Sequence, residues 1–187
     1  MNSKAALFLL VILVFLSGKV KAQEIAWDKF SFGFTVQYLK TNGDLNKYWG
    51  NSAAGGALLN YNIGNSFSLE GGILGAYMKP KDSLNDLPNF IFLNIPAGVK
   101  YSLALVNELK INSFAGIQNH SFIYSGEAAE LVEDNDIEHE LGIFFQLGIE
   151  LQILNDIGIE LNSKIQNVFT SPEQLKIINF GLSLYFY

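Results

Sequence analysis

The chain has 187 residues, of which 49% are hydrophobic, 13% are aromatic and only 16% are charged, which excludes a disordered protein and predicts one folded domain. All 12 basic residues are lysines and they stand against 18 acidic residues, so the net charge of −6 argues against a nucleic-acid partner. Because the chain has no cysteine, it contains no disulfide framework, no thiolate metal site and no cysteine nucleophile.

The first segment has the parts of a secretory signal peptide. Lys4 precedes an apolar run over residues 5–16, and Val20-Lys21-Ala22 places small or modest side chains at a cleavage position. A helix of this run rises about 18 Å, which is short of the roughly 30 Å hydrocarbon core of a bilayer. We therefore expect residues 1–22 to be a cleaved signal peptide and residues 23–187 to form the mature domain. Losing Lys4, Lys19 and Lys21 changes the net charge from −6 to −9.

Apolar and polar residues alternate along the rest of the chain, which is the pattern of β-strands with one apolar face. In the first of these alternating segments, Phe30, Phe32 and Phe34 alternate with small or polar residues. The pattern recurs in seven further segments, which begin near Ala57, Phe67, Leu93, Leu109, Leu141, Ile157 and Ile178. The sequence therefore predicts eight strands.

The connections alternate between long and short. Long ones cover roughly residues 40–52, 79–89, 119–139 and 170–175, and short ones centre on Gly64, Asn107 and Asn155. This layout is typical of barrels with short periplasmic turns and long external loops. The predicted fold is all-β, an eight-stranded antiparallel up-and-down transmembrane β-barrel with both termini in the periplasm.

A secreted soluble barrel with its apolar face inside is the alternative. The interior of an eight-stranded barrel is too narrow for several dozen large apolar side chains, whereas the Gly, Ser, Asn and Ala of the other face fit. We therefore expect the apolar face to contact lipid. Aromatic residues near the strand ends would then form interfacial girdles, namely Phe30, Tyr38, Tyr61, Phe67, Tyr77, Tyr101, Phe186 and Tyr187.

Two segments resemble known outer-membrane proteins. Asn179, Gly181, Leu184 and Phe186 resemble the C-terminal β-signal that the barrel-assembly machinery reads. The segment 92–101, with its Ile-Pro step and Lys-Tyr end, is similar to a strand of PorT-like outer-membrane β-barrel proteins, which are barrels of OmpA or OmpX size. The resemblance implies a Gram-negative outer membrane. Within that strand, Pro96 removes a ladder hydrogen bond, for which we expect a local bulge.

Six charged residues fall on the inward phase of the predicted strands, with three of each sign: Glu70, Glu150, Glu160, Lys100, Lys110 and Lys164. Charges in a narrow interior must be paired and hydrogen-bonded. We expect a salt-bridge network that closes the lumen. An ion path gated by rearrangement of these pairs is the alternative.

An enzyme that modifies lipid is a further alternative, based on His120 and Ser121. Adjacent strand residues point to opposite faces, so the pair is poorly placed to cooperate. His139 lies between two glutamates, and we expect it in a solvent-exposed loop. The sequence predicts no enzymatic activity and no cofactor.

The longest loop is strongly acidic, with Glu127, Glu130, Glu133, Asp134, Asp136 and Glu138. It is interpreted as a solvated loop or as a site that captures divalent cations bridging to lipopolysaccharide phosphates. We expect a monomer with a structural, adhesive or partner-binding role through its loops. Its expected partners are outer-membrane lipids and lipopolysaccharide, the barrel-assembly machinery, and an envelope or host protein.

Overall fold

Eight antiparallel strands close into a barrel, as the alternating pattern predicts. The computed structural model describes residues 29–43, 45–81, 87–125, 137–169 and 174–187, so the predicted signal peptide lies outside the described residues. Each strand pairs with the next, and β8 pairs with β1. The strands are β1 (Phe30–Asn42), β2 (Ser52–Asn62), β3 (Phe67–Met78), β4 (Asn89–Val106), β5 (Leu109–Ser125), β6 (Ile137–Leu154), β7 (Ile157–Phe169) and β8 (Gln174–Phe186).

A short helix, α1 (Leu45–Tyr48), lies between β1 and β2. It follows Gly43, whose φ of 63° is a conformation that glycine adopts readily. Within the part of the chain that the structure describes, no helix is long and apolar enough to cross a membrane.

The two ends of the barrel differ in their connections. Short turns at residues 63–66, 107–108 and 155–156 lie at one end, together with Phe30 and Tyr187, and we call this the turn end. The longer connections lie at the other end, the loop end. Residues 119–125 and 137–139 belong to β5 and β6, so the predicted loop over residues 119–139 is too long. Polar and aromatic neighbours from His120 to Tyr124 hide the alternation there.

The outer wall is apolar and exposed. Ile117 is 64% exposed and Leu161 65%, and large hydrophobic side chains cover the outward positions of every strand. Because monomeric soluble proteins rarely expose such a continuous apolar surface, this wall is suited to lipid and rules out the soluble barrel with an apolar interior.

Aromatic pairs mark the turn end of this wall, as expected of a girdle. Phe30 and Tyr61 have ring centroids 4.9 Å apart, and Phe67 and Tyr101 are 5.0 Å apart. Tyr187 differs from the prediction, because its hydroxyl donates a hydrogen bond to a buried carboxylate in the turn-end mouth.

The interior of the barrel is divided into an apolar and a polar half. The loop-end half holds a cluster that we call the apolar plug, made of Leu39, Leu45, Ala54, Ala76, Met78, Phe90, Phe92, Phe122 and Ile177. The turn-end half holds buried charges and amides. The sequence predicts the polar half but not the plug, because these aromatic side chains occupy inward positions that were expected to be small or polar.

The bulge predicted at Pro96 is wrong. The register of β3 with β4 is the same at Gly71–Ala97 and at Leu74–Asn94, and the pairing of β4 with β5 runs through Pro96 without a shift. Two residues on from Pro96, Gly98 faces Gly116, and a Cβ on either would lie 2.1 Å from a backbone carbonyl oxygen. The wall therefore accommodates proline next to a close contact that only glycine permits.

Candidate functional site

Lys100 is the centre of a buried charge network in the turn-end half. Its Nζ lies 2.9 Å from Glu160 Oε2, 3.3 Å from Glu70 Oε2 and 4.0 Å from Glu150 Oε2, and all four side chains are at most 3% exposed. Buried ions are tolerated only when they are paired and their remaining hydrogen-bonding positions are satisfied. We call these four residues, together with Lys110, the charge network.

Five different strands supply the network, and Lys110 lies on β5 beside the four buried members. Glu70 lies on β3, Lys100 on β4, Glu150 on β6 and Glu160 on β7. Gly148 provides the room, because a Cβ there would lie 2.7 Å from Glu160 Cδ. The alternation of the strands therefore brings together charges that are up to 90 residues apart in the sequence.

Amide side chains complete the shell around Glu160. The carboxylate accepts hydrogen bonds from Asn112 at 2.5 Å, from Gln146 at 3.0 Å and from Asn162 at 3.2 Å. Sequence reasoning missed these three amides as site residues. They were detectable, since each lies at an inward position of its strand.

The last strand and the residue directly after it supply hydroxyl donors to the other two carboxylates. Tyr185 donates to Glu70 at 3.2 Å, and its ring centroid lies 4.0 Å from Lys100 Nζ. Tyr187, the last residue, donates to Glu150 at 2.5 Å. The network is thus closed by the C-terminal end of the chain.

The two remaining predicted lysines differ. Lys110 Nζ lies 3.2 Å from Glu150 Oε1, and its side chain is 27% exposed at the turn-end mouth. Lys164 is buried, but no carboxylate of the described residues lies within 4.0 Å of its Nζ, which is 5.5 Å from the Phe144 ring centroid. Lys164 is four residues beyond Glu160 on β7, roughly 13 Å along the strand, so it stands apart from the charge network.

His120 and Ser121 point to opposite sides of the wall, as the alternation predicts. His120 is fully buried in the lumen and stacks on Phe92 with centroids 4.8 Å apart. Its two ring nitrogens have no hydrogen-bond partner among the described residues. Ser121 instead makes a 2.9 Å hydrogen bond with Nδ1 of His139. The prediction of a loop position for His139 is wrong, because β6 begins at Ile137 and pairs His139 with Ser121.

Most of the predicted acidic loop, comprising Glu127, Glu130, Glu133, Asp134 and Asp136, lies outside the described residues. Glu138 is on β6, where it accepts a 2.9 Å hydrogen bond from the Tyr124 hydroxyl. In the described ranges, no group of three or more His, Cys, Asp or Glu side chains could hold a metal ion.

The predicted assembly-signal residues lie at the seam where β8 meets β1. Asn179 is buried and donates a 2.8 Å hydrogen bond to Gln37 of β1. Gly181 leaves space for Asn162, since a Cβ would lie 2.6 Å from its Oδ1. On the outer side, Leu184 pairs with Phe34, and Phe186 stacks on Phe32 at 5.1 Å.

Each end of the barrel has a cavity. The turn-end mouth encloses about 600 Å³ lined mainly by polar residues, including Lys29, Asn60, Lys110 and Glu150. The loop-end mouth has a pocket of about 180 Å³ with aromatic walls. Between them, Phe90, Phe92, His120, Lys100 and Glu160 are each at most 3% exposed, so no water-wide passage runs past these side chains.

Comparisons with solved structures show the same fold in outer-membrane proteins. Neisserial surface protein A superposes with a TM-score of 0.63 at 10% identity, covering 84% of this chain and 96% of that one. Ail, the attachment invasion locus protein of Yersinia pestis, gives 0.52 at 12% identity, covering 84% and 95%. OprG of Pseudomonas aeruginosa gives 0.55 at 9% identity, covering 84% and 95%. No curated protein matches the sequence.

Family membership is shown by a family model, because sequence identities this low show only a shared fold. The model described as outer membrane protein beta-barrel domain matches residues 6–186, nearly the whole chain. This match and the neighbours place the protein in the outer membrane, where the apolar wall contacts lipid. The chain therefore belongs to the outer membrane protein β-barrel domain family.

Proposed function

We propose that this protein is a sealed outer-membrane barrel that acts through its extracellular surface in a structural, adhesive or partner-binding role. The observation that carries the proposal is the closed lumen, which has an apolar plug at the loop end and a charge network at the turn end. A barrel blocked in both halves makes its contacts at its ends. The loop end faces outward in barrels of this kind.

The structure favours this role over a narrow channel gated by the charge network. Rearranging ion pairs around Lys100 would open only the turn-end half. The apolar plug contains Phe90 and Phe92, which are 2% and 3% exposed, and it would still exclude hydrated ions. A conducting state therefore requires both halves to move.

The loop end offers an ordered platform for contacts. Trp49 Nε1 donates to the Pro88 carbonyl at 3.2 Å, Gly50 N to the Lys79 carbonyl at 3.1 Å, and Lys81 N to the Tyr48 carbonyl at 2.9 Å. These bonds join the first two loop-end connections to each other. A preorganised surface loses less conformational entropy on binding, which supports a recognition role.

The charge of the protein sets the chemistry of its partner. The predicted mature chain carries a net charge of −9, and six of its acidic residues lie in the segment 127–138. Such a surface favours basic groups, or divalent cations that bridge to lipopolysaccharide phosphates. Ail, by contrast, has been solved in complex with the heparin analogue sucrose octasulfate.

The proposal also covers the PorT-like relationship, the route of assembly and the oligomeric state. The Ile95–Pro96 step and the Lys100–Tyr101 end support a PorT-like relationship, and residues 179–186 support delivery by the barrel-assembly machinery. We propose a monomer, because the ring of eight strands is closed and leaves no strand edge free for pairing. The proposal assigns no reaction to the protein.

Conductance in planar bilayers tests the sealed lumen. The refolded wild-type protein should give no single-channel steps, and the Glu160→Gln variant should also be silent because the apolar plug is intact. A channel gated by the charge network predicts steps in that variant. Steps from the wild-type protein would overturn the sealed barrel.

The contribution of the acidic loop needs its own assay. Replacing residues 126–136 with a Gly-Ser segment of the same length should weaken calcium-dependent binding of the refolded protein to immobilised lipopolysaccharide. The heat-dependent gel mobility of the variant controls for folding. Unchanged binding by a folded variant would remove this loop from the proposal.

A further inference from the structure

The loop-end mouth contains a pocket that the sealed lumen does not explain. It encloses about 180 Å³, and cavities of about 150 Å³ hold a benzene-sized molecule. Five aromatic side chains, two leucines and one carboxylate line it: Tyr48, Trp49, Phe90, Phe122, Tyr124, Leu45, Leu175 and Glu138. Leu45, Phe90 and Phe122 also belong to the apolar plug, and the pocket adds further aromatic rings and a negative charge to them.

The rings are held in place by one another. Phe90 is central, with its ring centroid 5.3 Å from Trp49, 5.5 Å from Phe122 and 5.9 Å from Tyr124. Tyr48 lies 5.8 Å from Trp49. Because α1, β4 and β5 each contribute, the pocket is built from separate elements that converge on one point.

Glu138 gives the pocket its charge. It is the only charged side chain among the described residues that line the pocket. The Tyr124 hydroxyl donates to its Oε2 at 2.9 Å and so fixes the carboxylate beside the rings. An ionised carboxylate can accept further hydrogen bonds, so this contact leaves it able to bind a ligand.

We infer that this pocket binds a small organic cation of the quaternary or alkylated ammonium class. Aromatic faces attract such cations through the ring quadrupole, and a nearby carboxylate adds Coulomb attraction. The same charge disfavours anions, and a neutral apolar ligand gains nothing from it. The inference deepens the proposed function, on which it rests, by naming a ligand class for the loop-end surface.

Intrinsic fluorescence provides the test, because the chain has only two tryptophans. A Trp27→Phe variant of the full mature chain leaves Trp49 as the single reporter. Titration of the refolded protein with choline should give a saturable fluorescence change. The uncharged isostere 3,3-dimethylbutan-1-ol, which has the same shape, should give none.

Variants assign the binding to the carboxylate. In the same background, Glu138→Gln should weaken choline binding about tenfold, because it removes the Coulomb attraction between the carboxylate and the cation. Glu108→Gln, which removes an acid at the turn end, should leave binding unchanged. Heat-dependent gel mobility confirms that each variant is folded.

Equal binding of the isostere, no binding of choline, or unchanged binding by a folded Glu138→Gln variant would each overturn the inference. Titration with glycerophosphocholine distinguishes the two sources of the cation. Binding tighter than that of choline assigns a lipid headgroup, binding that is no tighter assigns a free ammonium compound, and both support the ligand class. If the protein shows no conductance and does not bind choline, only this inference is overturned. Conductance by the wild-type protein would overturn the proposed function itself.

Discussion

The two halves of the barrel interior are closed by different interactions. In the loop-end half, aromatic and aliphatic side chains such as Phe90 and Phe92 pack without direction-dependent bonds. In the turn-end half, Lys100 has to meet three carboxylates in a defined geometry. The apolar half depends on volume, whereas the charged half depends on the exact complement of partners.

This difference predicts how each half responds to change. An apolar core tolerates replacement of one of its side chains by another apolar side chain of similar size. A buried ion network does not tolerate the loss of one partner, because the others are then buried without compensation. The loop-end half therefore accepts several apolar residues at a position, whereas the turn-end half requires specific charged residues.

The largest effect is expected from Lys100→Met, which leaves three buried carboxylates without their shared cation. The free energy of unfolding should fall by about 3–5 kcal/mol, the cost of breaking a buried pair. Urea unfolding in lipid vesicles measures it. Lys110→Met is the matched control. Its side chain is 27% exposed, and the loss should be below about 1 kcal/mol. Equal losses for the two lysines would contradict the special position of Lys100.

A smaller loss is expected when the network is crowded rather than broken. In Gly148→Ala, the new Cβ would lie 2.7 Å from Glu160 Cδ and displace a carboxylate that accepts three amide hydrogen bonds. We expect the same unfolding assay to show about 1–3 kcal/mol of destabilisation. Gly75→Ala, where no atom lies within 4 Å of the added Cβ, should be close to neutral. A neutral Gly148→Ala would show that Glu160 can move without cost.

The smallest loss of stability is expected from a substitution within the apolar plug. Phe90→Leu keeps the plug apolar but removes ring contacts with Trp49, Phe122 and Tyr124, so about 1 kcal/mol should be lost. Phe34→Leu makes the same exchange at a side chain that is 57% exposed on the lipid-facing wall. Fluid lipid can fill that space, and the loss should be smaller in the same assay. A larger loss at Phe34 would mean that the wall is more tightly specified than the plug.

The strands were predictable because their outward positions are uniformly apolar. Alternation alone places Glu70, Lys100, Glu150 and Glu160 inside, and closure of the barrel brings them together. The partners of each ion were not predictable. The stagger between strands decides that Lys100 lies level with Glu160 on β7 and not with Lys164, which is four residues further along. The alternation of one chain does not reveal this stagger.

The apolar plug was missed for a related reason. An inward Phe90 and an outward Phe34 are the same residue type, and both sit in alternating segments. Only the fold shows that α1 and Trp49 return over the loop-end mouth and give the inward aromatic side chains something to pack against. The pairing of Ser121 with His139 across β5 and β6 likewise depends on strand register.

Tyr185 of β8 and Tyr187, directly after that strand, couple pairing of β8 to stability of the lumen. Glu70 and Glu150 receive their hydroxyl donors, Tyr185 and Tyr187, only when β8 occupies the gap between β7 and β1. Without β8 in that gap, both carboxylates lack these donors, and an interior carboxylate with unfilled hydrogen-bonding positions is destabilised. Pairing of the last strand with β1 therefore completes the hydrogen bonding of these ions as well as joining the two ends of the sheet. An unclosed barrel is therefore disfavoured by its interior charges as well as by its unpaired strand edges.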